Sequence, residues 1–297
     1  NKVKKYAEFP AGKSLRRSGK SAEGGIGRKI ACLLSVPCRR NQIGKNMLTK
    51  AEINRVRRLA DKKERTALGL FVAEGIKLVR ELMESELRVR EVYALPEASD
   101  ALPFSDSVVT VSAGDMERIS LLKTPSPVLA LVEIPRHPLE KGMLGRSLAL
   151  ALDDVQDPGN LGTILRLADW FGIRDVFCSP ATADCFNPKV VQATMGAIAR
   201  VRVHYTELTG LLEEALRNGE PVFGTFMDGE DLYGAKLASE GIIVMGNEGK
   251  GISPAVTALV NRRIGIPAYP PGAPTSESLN VAVAAAIVCA EFRRRMR

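Results

Sequence analysis

Two buried-strand patterns in the last third of the chain, each followed by a polar loop, constrain the fold most. The apolar run 242–245 meets a glycine-rich turn at residues 246–251, and the run 264–266 meets a long proline-rich loop. That loop opens into an uncharged stretch at residues 279–290, which predicts a buried helix. A buried strand followed by a polar loop, repeated, is how an α/β domain builds a crevice at the carboxyl ends of its strands.

The rest of the chain alternates strand and helix patterns in the same way, which predicts two α/β units. Residues 47–140 form the first unit, beginning with a helix capped by Thr49, and residues 146–297 form the second. Pro135–Gly145, with two prolines and two glycines, is typical of a linker. Because helices and strands alternate, we expect the second unit to hold a mostly parallel sheet covered on both faces.

Four finer predictions concern the second unit. A strand is predicted over residues 222–226, and helices are predicted over residues 190–199, over residues 254–260 and from Ser278 onward.

The positive charge is confined to the beginning of the chain. Residues 1–46 carry twelve Lys or Arg residues and two acids, whereas the remainder holds 30 basic and 32 acidic residues. The overall charge of +8 therefore says little about the partner of the globular part. We interpret residues 1–46 as a disordered extension upstream of Met47, not necessarily native, with a transit peptide or an RNA-binding arm as the alternatives.

Several common classes of site are disfavoured. The five cysteines form no C-x-x-C pair and there are two histidines, which argues for a reducing compartment, here the cytoplasm, and against a metal site. No apolar run approaches the ~20 residues of a membrane span. The Gly246–Gly251 spacing resembles a phosphate loop, but Ile252 and Ser253 follow it instead of Lys and Ser or Thr. No nucleophile elbow and no dinucleotide fingerprint follow a strand.

Three polar loops each follow an apolar strand in the second unit, at Asp153–Arg166, Gly246–Gly251 and Ile266–Asn280. On a parallel sheet these loops leave the same edge, so we expect them to converge on one site.

The three loops also carry a family resemblance. In order along the chain, they resemble the three motifs of the SpoU/TrmH family of RNA ribose 2′-O-methyltransferases, of the SPOUT class. The matching residues are Asn160-Leu161-Gly162 with Arg166, then Gly246-Asn247-Glu248-Gly249, then Ser278-Leu279-Asn280-Val281. The wider resemblance covers residues 147–293. Residues 47–134, notably Phe71–Gly75, look like the substrate-binding domain of the family.

The resemblance implies a fold and an activity that the residue pattern alone does not predict. It implies a SPOUT domain with a deep trefoil knot, although an unknotted chain is the ordinary expectation. It also implies S-adenosylmethionine as cofactor, a homodimer, and methyl transfer to a ribose 2′-hydroxyl. With the additional N-terminal unit, 23S ribosomal RNA is favoured as substrate. A transfer-RNA methyltransferase and a non-catalytic RNA-binding protein are the alternatives.

The resemblance also assigns expected roles to individual residues. The expected catalytic residues are Arg166, Asn160, Glu248, Ser278 and Asn280. The expected cofactor-binding residues are Thr225, Met245, Gly246, Gly249, Ile266 and Leu279, with Met227 as a further pocket residue. Residues of a basic surface are expected to contact RNA phosphates, namely Arg55, Arg58, Lys62 and Lys63, together with Arg57 and Arg65.

Each of these residues also has a simpler interpretation. Asn160, Ser278 or Asn280 could only cap a helix, and Glu248 could be an exposed turn residue. The glycines could serve turn geometry, and the basic surface could be a solvated helix face. The loop at residues 267–277 is a few residues longer than is usual in the family, and Ser276 stands where a methionine often precedes Glu-Ser-Leu-Asn.

Overall fold

The computed structural model describes residues 47–103, 108–139, 142–271, 274, 276 and 278–296. The basic segment 1–46, for which we predict a disordered extension, lies outside these ranges. Within them, no helix combines the length and the apolar character that crossing a membrane requires.

Residues 47–134, here called the N-terminal module, form a four-stranded sheet with helices around it. The strand order is β1-β4-β2-β3; β4 is antiparallel to β1 and β2, and β3 is parallel to β2. The elements are α1 (Lys50–Arg58), α2 (Lys62–Leu68), β1 (Leu70–Glu74), α3 (Ile76–Met83), β2 (Val89–Ala94), α4 (Pro96–Ser99), β3 (Val108–Thr110), α5 (Ala113–Ile119) and β4 (Val128–Glu133).

Local sequence explains where the elements of this module begin. Thr49 caps α1 as predicted, since its hydroxyl accepts the Glu52 N–H while the Glu52 side chain accepts the Thr49 N–H. Glu74, in the motif that resembles the family, is buried, and its carboxylate accepts Ser120 Oγ at 2.6 Å and Leu121 N at 2.8 Å. Burial raises the pKa of Glu74. Glu74 therefore holds the loop after α5 and does not face solvent.

Residues 147–296, here called the C-terminal module, contain a six-stranded parallel sheet, as predicted. The strand order is β10-β8-β9-β5-β6-β7. The elements are β5 (Leu148–Leu152), α6 (Pro158–Trp170), β6 (Asp175–Cys178), α7 (Pro188–Thr194), a 3-10 turn (Ala197–Ala199), β7 (Arg202–Tyr205), α8 (Leu208–Arg217), β8 (Val222–Asp231), β9 (Gly241–Met245), α9 (Pro254–Thr257), β10 (Arg262–Gly265) and α10 (Val281–Arg294).

Helices cover both faces of this sheet. Leu148, Leu150 and Leu152 pack in one core cluster that includes residues of α6, α7 and α10, whereas Ala149 and Ala151 pack in another with residues of α8 and α9. The alternation along β5 follows from the two-residue period of a strand. All five β5 residues are buried, which explains the continuous apolar run in the sequence.

Some predicted boundaries were wrong. The helix predicted over residues 190–199 breaks at Met195, with φ 51°, and at Gly196, with φ 97°; the remainder forms the 3-10 turn. The last helix begins at Val281 and not at Ser278, because Asn280 is its N-cap. The helix predicted over residues 254–260 ends at Thr257, and α2 was not predicted.

Strand β8 is longer than predicted and makes an irregular crossing with β10. Arg263 pairs with Gly224, but the next residue, Ile264, pairs with Glu230, so five residues of β8 bulge out of register. At Gly229 a Cβ would lie 2.3 Å from the Ile264 carbonyl carbon. Glycine is therefore required where the two backbones meet.

Candidate functional site

The loops after β5 and β9 leave the sheet side by side. The two strands are parallel neighbours, with Leu152 opposite Met245, and the Asp153 N–H donates to the Met245 carbonyl at 2.9 Å. The loop before α10 reaches the same place. The predicted convergence of the three loops is therefore confirmed.

Three side chains, one from each loop, form a continuous hydrogen-bonded chain. Asn160 Nδ2 donates to Glu248 Oε1 at 3.0 Å, and Asn280 Nδ2 donates to Asn160 Oδ1 at 2.9 Å. Asn280 Oδ1 in turn accepts the N–H groups of Ala282 and Val283, at 2.9 and 3.2 Å. We call Asn160, Glu248 and Asn280 the amide–carboxylate chain.

The two ends of the amide–carboxylate chain fix its direction. The backbone N–H groups at the start of α10 can only donate, and an ionised carboxylate such as that of Glu248 can only accept. Asn280 must therefore turn its oxygen to the helix and its nitrogen to Asn160, which must turn its nitrogen to Glu248. Each amide has one satisfactory orientation, so the three loops are held in a defined arrangement.

Glu248 is placed to remain ionised. Burial raises its pKa, but hydrogen bonds from Asn160 and from backbone N–H groups outweigh burial and bring the pKa below its ordinary value. The backbone N–H groups of Gln156 and Asp157 approach the carboxylate at 3.4 and 3.3 Å. At neutral pH Glu248 is thus an acceptor that gathers the loop before α6, and it does not supply a proton.

The helix-cap interpretation holds for Asn280 but not for Asn160. Asp157 is the N-cap of α6, and its Oδ1 accepts the Asn160 N–H at 2.8 Å. Pro158 follows at the first helical position, a pattern that could have identified the cap from sequence. The side chain of Asn160 is therefore free of capping and serves the amide–carboxylate chain.

Asn247 braces the glycine-rich loop, a function that the sequence analysis did not assign. Its Oδ1 accepts the N–H groups of Gly249 and Lys250, both at 3.0 Å, and its Nδ2 donates to the Asp154 carbonyl at 2.7 Å. Asp154 has φ 58°, and its carboxylate accepts Ser179 Oγ at 2.6 Å. An amide within a glycine-rich loop is a signal for this kind of turn.

Arg166 is not part of the amide–carboxylate chain. It lies on α6, six residues after Asn160, and its side chain is exposed. Among the residues that the structure describes, none forms a hydrogen bond or ion pair with its guanidinium, and the same holds for the exposed hydroxyl of Ser278. Glu248 and Arg166 are not in contact within one chain, and both side chains are exposed.

Two glycines of the second loop differ in whether the turn has space for a larger residue. At Gly246 a Cβ would lie 2.3 Å from the Gly251 carbonyl carbon, so the turn itself requires glycine there. At Gly249 the nearest atom to a Cβ is Asn247 Oδ1, at 3.8 Å. Space for a ligand beside the loop therefore exists at Gly249 and not at the Cβ position of Gly246.

The expected cofactor-binding residues form a partly apolar surface next to these loops. Leu279 and Met227 are 48% and 76% exposed, and Ile266 is half-buried. Thr225 Oγ1 donates to the Val244 carbonyl at 3.3 Å, whereas the Met245 side chain lies in the core and can offer only its backbone. Exposed apolar side chains such as Met227 and Leu279 can pack against a planar base.

The predicted basic surface is partly neutralised. Arg55 pairs with Glu91 and Arg58 with Glu64, whereas Lys63 is exposed. The ammonium of Lys62 lies 5.7 Å from the centroid of the Tyr205 ring. Arg65 does not belong to this surface, because it is 2% exposed and pairs with Asp184.

No group of three or more His, Cys, Asp or Glu side chains in the described ranges could hold a metal ion. The polar groups in contact here are the two amides and one carboxylate of the amide–carboxylate chain, with the exposed guanidinium of Arg166 and hydroxyl of Ser278 on the same module. This set can orient a polar substrate and stabilise a developing negative charge.

Two family models match the chain. Residues 147–290 match the SpoU rRNA Methylase family, and residues 50–130 match the MRM3-like substrate binding domain.

Relatives with known names are similar over different lengths. The chain is 32% identical over 240 residues to the 23S rRNA (guanosine(2553)-2′-O)-methyltransferase RlmP of Bacillus subtilis, covering 80% of this chain and 94% of that protein. It is 36% identical over 150 residues to the 23S rRNA (guanosine-2′-O-)-methyltransferase RlmB of Neisseria meningitidis, covering 50% of this chain and 58% of RlmB. The chain thus spans nearly all of the first relative and little more than half of the second.

Solved structures give the same picture. A Porphyromonas gingivalis protein assigned to the TrmH family of RNA methyltransferases superposes with a TM-score of 0.76 and 43% identity, over 84% of this chain and 100% of that one. An AdoMet-bound rRNA methyltransferase from Sinorhizobium meliloti superposes with a TM-score of 0.75 and 27% identity, over 85% and 97% of the two chains.

Proposed function

This chain belongs to the SpoU rRNA Methylase family, and we propose that it transfers a methyl group from S-adenosylmethionine to a ribose 2′-hydroxyl of RNA. One observation carries the proposal: the amide–carboxylate chain joins the three loops that bear the family motifs at one edge of the sheet. A relative that the chain matches over 94% of its length is named as a 2′-O-methyltransferase.

We favour 23S ribosomal RNA as the substrate. Both named relatives described above are 23S rRNA methyltransferases, and the one matched along most of its length shares the N-terminal module. A transfer RNA substrate is the alternative within the class. A non-catalytic RNA-binding role is disfavoured because a protein that only binds RNA does not require an ordered amide–carboxylate chain.

Arg166 is the residue we assign to the chemical step. A guanidinium keeps its proton at neutral pH, so it acts as a cation and not as a base. Its side chain is exposed and without a protein partner among the described residues, which leaves it free to meet the ribose oxygen as negative charge develops there. The proton of the hydroxyl passes to water or to an RNA phosphate.

We assign the amide–carboxylate chain the role of holding the three loops in position, and not of transferring a proton. Glu248 stays ionised, and Asn160 and Asn280 each have one satisfactory orientation. Holding the loops rigidly aligns donor and acceptor, which is the main contribution a protein can make to an in-line transfer. The free hydroxyl of Ser278 is close enough in sequence to Asn280 to contact the same substrate.

The cofactor would be held by the loops on the same edge. Thr225, Gly249, Ile266 and Leu279 offer side chains or open backbone there, while Gly246 and Met245 offer backbone groups alone. When bound, S-adenosylmethionine supplies an activated methyl group on its sulfonium, so the reaction needs no metal.

The irregular crossing of β8 and β10 supports the trefoil knot that the resemblance implies. Gly229 lies against Ile264, and a Cβ at Gly265 would lie 2.8 Å from the Phe226 carbonyl oxygen. Two glycines that permit backbone contact are consistent with a chain threaded tightly through a loop. We propose that residues beyond this crossing pass through the loop to reach α10.

We also propose that the protein is a homodimer, as the resemblance implies. Helices α6 and α10 pack against each other, and both carry exposed apolar side chains: Trp170 is 84% exposed and Val283 49% exposed. An apolar surface of this kind is typical of an interface. Sedimentation equilibrium tests the dimer, and Val283→Glu should shift wild-type dimers to monomers; a wild-type monomer at all concentrations would contradict it.

The remaining roles follow from the substrate. The N-terminal module would contact RNA phosphates through Lys63 and the other basic side chains of α1 and α2 except the buried Arg65. We propose a cytoplasmic location, which the names of the two bacterial rRNA methyltransferase relatives support.

The decisive experiment measures methyl transfer from labelled S-adenosylmethionine to 23S, 16S and transfer RNA, each unmodified. Wild type should label 23S RNA in an alkali-resistant dinucleotide, as 2′-O-methylation requires. Arg166→Ala should lower the rate by about 100-fold or more, since a charge-stabilising donor is lost. Arg174→Ala, which removes another exposed arginine of the same module, is the matched control.

The possible outcomes separate the candidate functions. Label in transfer RNA alone would move the substrate to that class. RNA binding without transfer to any RNA would favour the non-catalytic alternative, and undiminished transfer by Arg166→Ala would exclude the assigned role of Arg166.

A further inference from the structure

The two modules share one continuous hydrophobic core. The rings of Phe71 in β1 and Phe186, just before α7, lie 5.0 Å apart between centroids. Val79 of α3 belongs to the same buried cluster as Val190 and Val191 of α7. The N-terminal module is therefore packed directly on the C-terminal module of the same chain, and is not merely tethered by the linker.

Arg65 fixes one side of this contact. It is 2% exposed, and its Nη1 donates to the carbonyls of Leu59 and Ala60 at 2.7 and 2.8 Å. Its Nε donates to Asp184 Oδ2 at 3.2 Å, which connects α2 to the loop before α7. A buried guanidinium with all these partners is a structural element of the contact.

Arg200 bridges the modules on another side and remains half exposed. Its Nε donates to Asp169 Oδ1 at 2.9 Å, and its Nη2 donates to Asp169 Oδ2 at 2.7 Å, so the pair is bidentate. Its Nη1 pairs with Glu81 of α3. The hydrogen bond with Asp169 and that with Glu81 raise the pKa of Arg200. One guanidinium thus joins α6 of the C-terminal module to α3 of the N-terminal module.

The backbone near Arg200 has a glycine where the side chain of Glu81 approaches it. Gly196 has φ 97°, and a Cβ there would lie 1.9 Å from Glu81 Oε2. Any larger residue would push Glu81 away from Arg200. The break in the predicted helix at Met195 and Gly196 therefore has a physical reason, since it brings this segment against α3.

The helix that Arg200 holds is the helix of the site. Asp169 follows Arg166 by three residues on α6, and Asn160 lies near the start of the same helix. The helix also packs closely on α7, because a Cβ at Gly162 would lie 2.4 Å from the Ala193 Cβ. The position of α3 is thereby linked to the position of Arg166 through one bridging side chain.

We propose that Arg200 is a positioning residue, which holds the N-terminal module at a fixed place relative to α6 so that RNA bound there presents its ribose to Arg166. This inference rests on the proposed methyltransferase function. The ion pairs of Arg200 are about half exposed, with 47%, 37% and 26% exposed side chains for Arg200, Glu81 and Asp169. Exposed ion pairs add little to stability, so the loss of Arg200 should appear in the reaction with RNA and not in folding.

The test compares variants of the full chain by methyl transfer to full-length 23S RNA. Arg200→Ala and Glu81→Gln should each lower kcat/KM for RNA by roughly tenfold, because misplacement by about an ångström is costly to an aligned reaction. The dissociation constant of S-adenosylmethionine and the urea midpoint should not change. Arg90→Ala is the matched control, since Arg90 is 48% exposed and pairs with Glu133 inside the N-terminal module.

Two further measurements separate positioning from a general structural effect. The double variant Arg200→Ala with Glu81→Gln should be no worse than Arg200→Ala alone, because both break one bridge. After the methylated nucleotide is mapped, methylation of the shortest fragment, cut so that it cannot span from the methylated nucleotide to the N-terminal module, should be insensitive to Arg200→Ala.

The outcomes distinguish this inference from the proposed function. Full activity of Arg200→Ala and Glu81→Gln on 23S RNA, or an equal loss on the shortest fragment, would overturn the positioning role and leave the methyltransferase intact. Absence of transfer to any RNA by wild type would overturn the proposed function, and the positioning role with it.

Discussion

The two ends of the six-stranded sheet both gather polar side chains, but they differ in access to solvent. At the carboxyl end, Glu248 and Asn280 are exposed and Asn160 is half-buried. At the amino end, Asp175 is 7% exposed, and the side chain of His204, the third residue of β7, contacts it and is 3% exposed. A hydrogen-bonded cluster is therefore not by itself a candidate site; the polar groups of the carboxyl end, here called the open end, are accessible from solvent, and those of the amino end, here called the closed end, are not.

The closed end serves the linker between the modules. His204 Nε2 lies 2.9 Å from Asp175 Oδ1, and its Nδ1 lies 3.2 Å from the carbonyl oxygen of His137. Arg202 Nη2 donates to Asp175 Oδ2 at 2.6 Å. Both ring nitrogens therefore face oxygen atoms, one on β6 and one on the linker. The linker is thus fastened to β6 and β7 by one buried imidazole.

The largest expected effect is at the open end. Glu248→Ala should lower methyl transfer to 23S RNA by roughly 100-fold, because the first loop loses the acceptor that ties it to the second and the orientation of Asn160 is no longer fixed. The free energy of unfolding should change by less than about 1 kcal/mol, since the residue is exposed. Single-turnover kinetics and urea unfolding measure the two quantities, with Glu117→Ala as an exposed control. A stable variant with wild-type rates would break the comparison.

At the closed end the same kind of change should affect stability instead. His204→Ala should lower the free energy of unfolding by about 2 kcal/mol, because Asp175 and the His137 carbonyl both lose their contact with the buried ring. His137→Ala keeps that carbonyl and is the matched control, with an expected loss below about 1 kcal/mol. Urea unfolding measures both. If the folded His204→Ala protein lost activity as severely as Glu248→Ala, the distinction between the ends would fail.

Glycine substitutions sharpen the comparison within the open end. Gly246→Ala should cost about 2 kcal/mol of stability and weaken cofactor binding, because a Cβ collides with the turn. At Gly249→Ala the nearest atom to the new Cβ would be 3.8 Å away, so the free energy of unfolding should not change. Calorimetric titration with S-adenosylmethionine and urea unfolding measure these effects. Equal destabilisation by the two substitutions would contradict the assigned difference.

The smallest expected effects separate two carboxylates at the closed end. Burial raises the pKa of Asp175, but hydrogen bonds from His204 and Arg202 outweigh it and lower the pKa. Its stabilisation is therefore present above the unfolded value of 3.8 and is lost as the pH falls through the folded value. Burial raises the pKa of Glu220, whose Oε2 is buried without a partner among the described residues. Its ionisation therefore destabilises the fold as the pH rises above 4.5.

These opposite signs give opposite expected outcomes at pH 7. Asp175→Asn should lower the free energy of unfolding by about 1 kcal/mol, and Glu220→Gln should raise it by a similar amount. Both differences should shrink as the pH falls toward 3. Urea unfolding between pH 3 and 7 checks the signs; destabilisation by Glu220→Gln at pH 7 would show that its buried oxygen has a partner.

Sequence patterns predicted the parallel sheet and the convergence of the three loops, because apolar runs and polar loops follow local rules. The roles of Asn160 and Asn280 were harder to separate, since both lie near a helix start and only Asn280 is a cap. The burial of Arg65 could not be predicted, because its partner Asp184 lies 119 residues away. The break at Met195 depends likewise on Glu81, which is distant in sequence.

The amide–carboxylate chain has a consequence for the order of events during protein synthesis. Its members lie at positions 160, 248 and 280, so a ribosome must translate beyond Asn280 before the last amide can join the others. The N-terminal module and the whole six-stranded sheet precede that point in the chain. A nascent or truncated product that stops between residues 265 and 280 therefore has the N-terminal module, which we propose binds RNA, without a complete amide–carboxylate chain, and we expect it to bind RNA without methylating it.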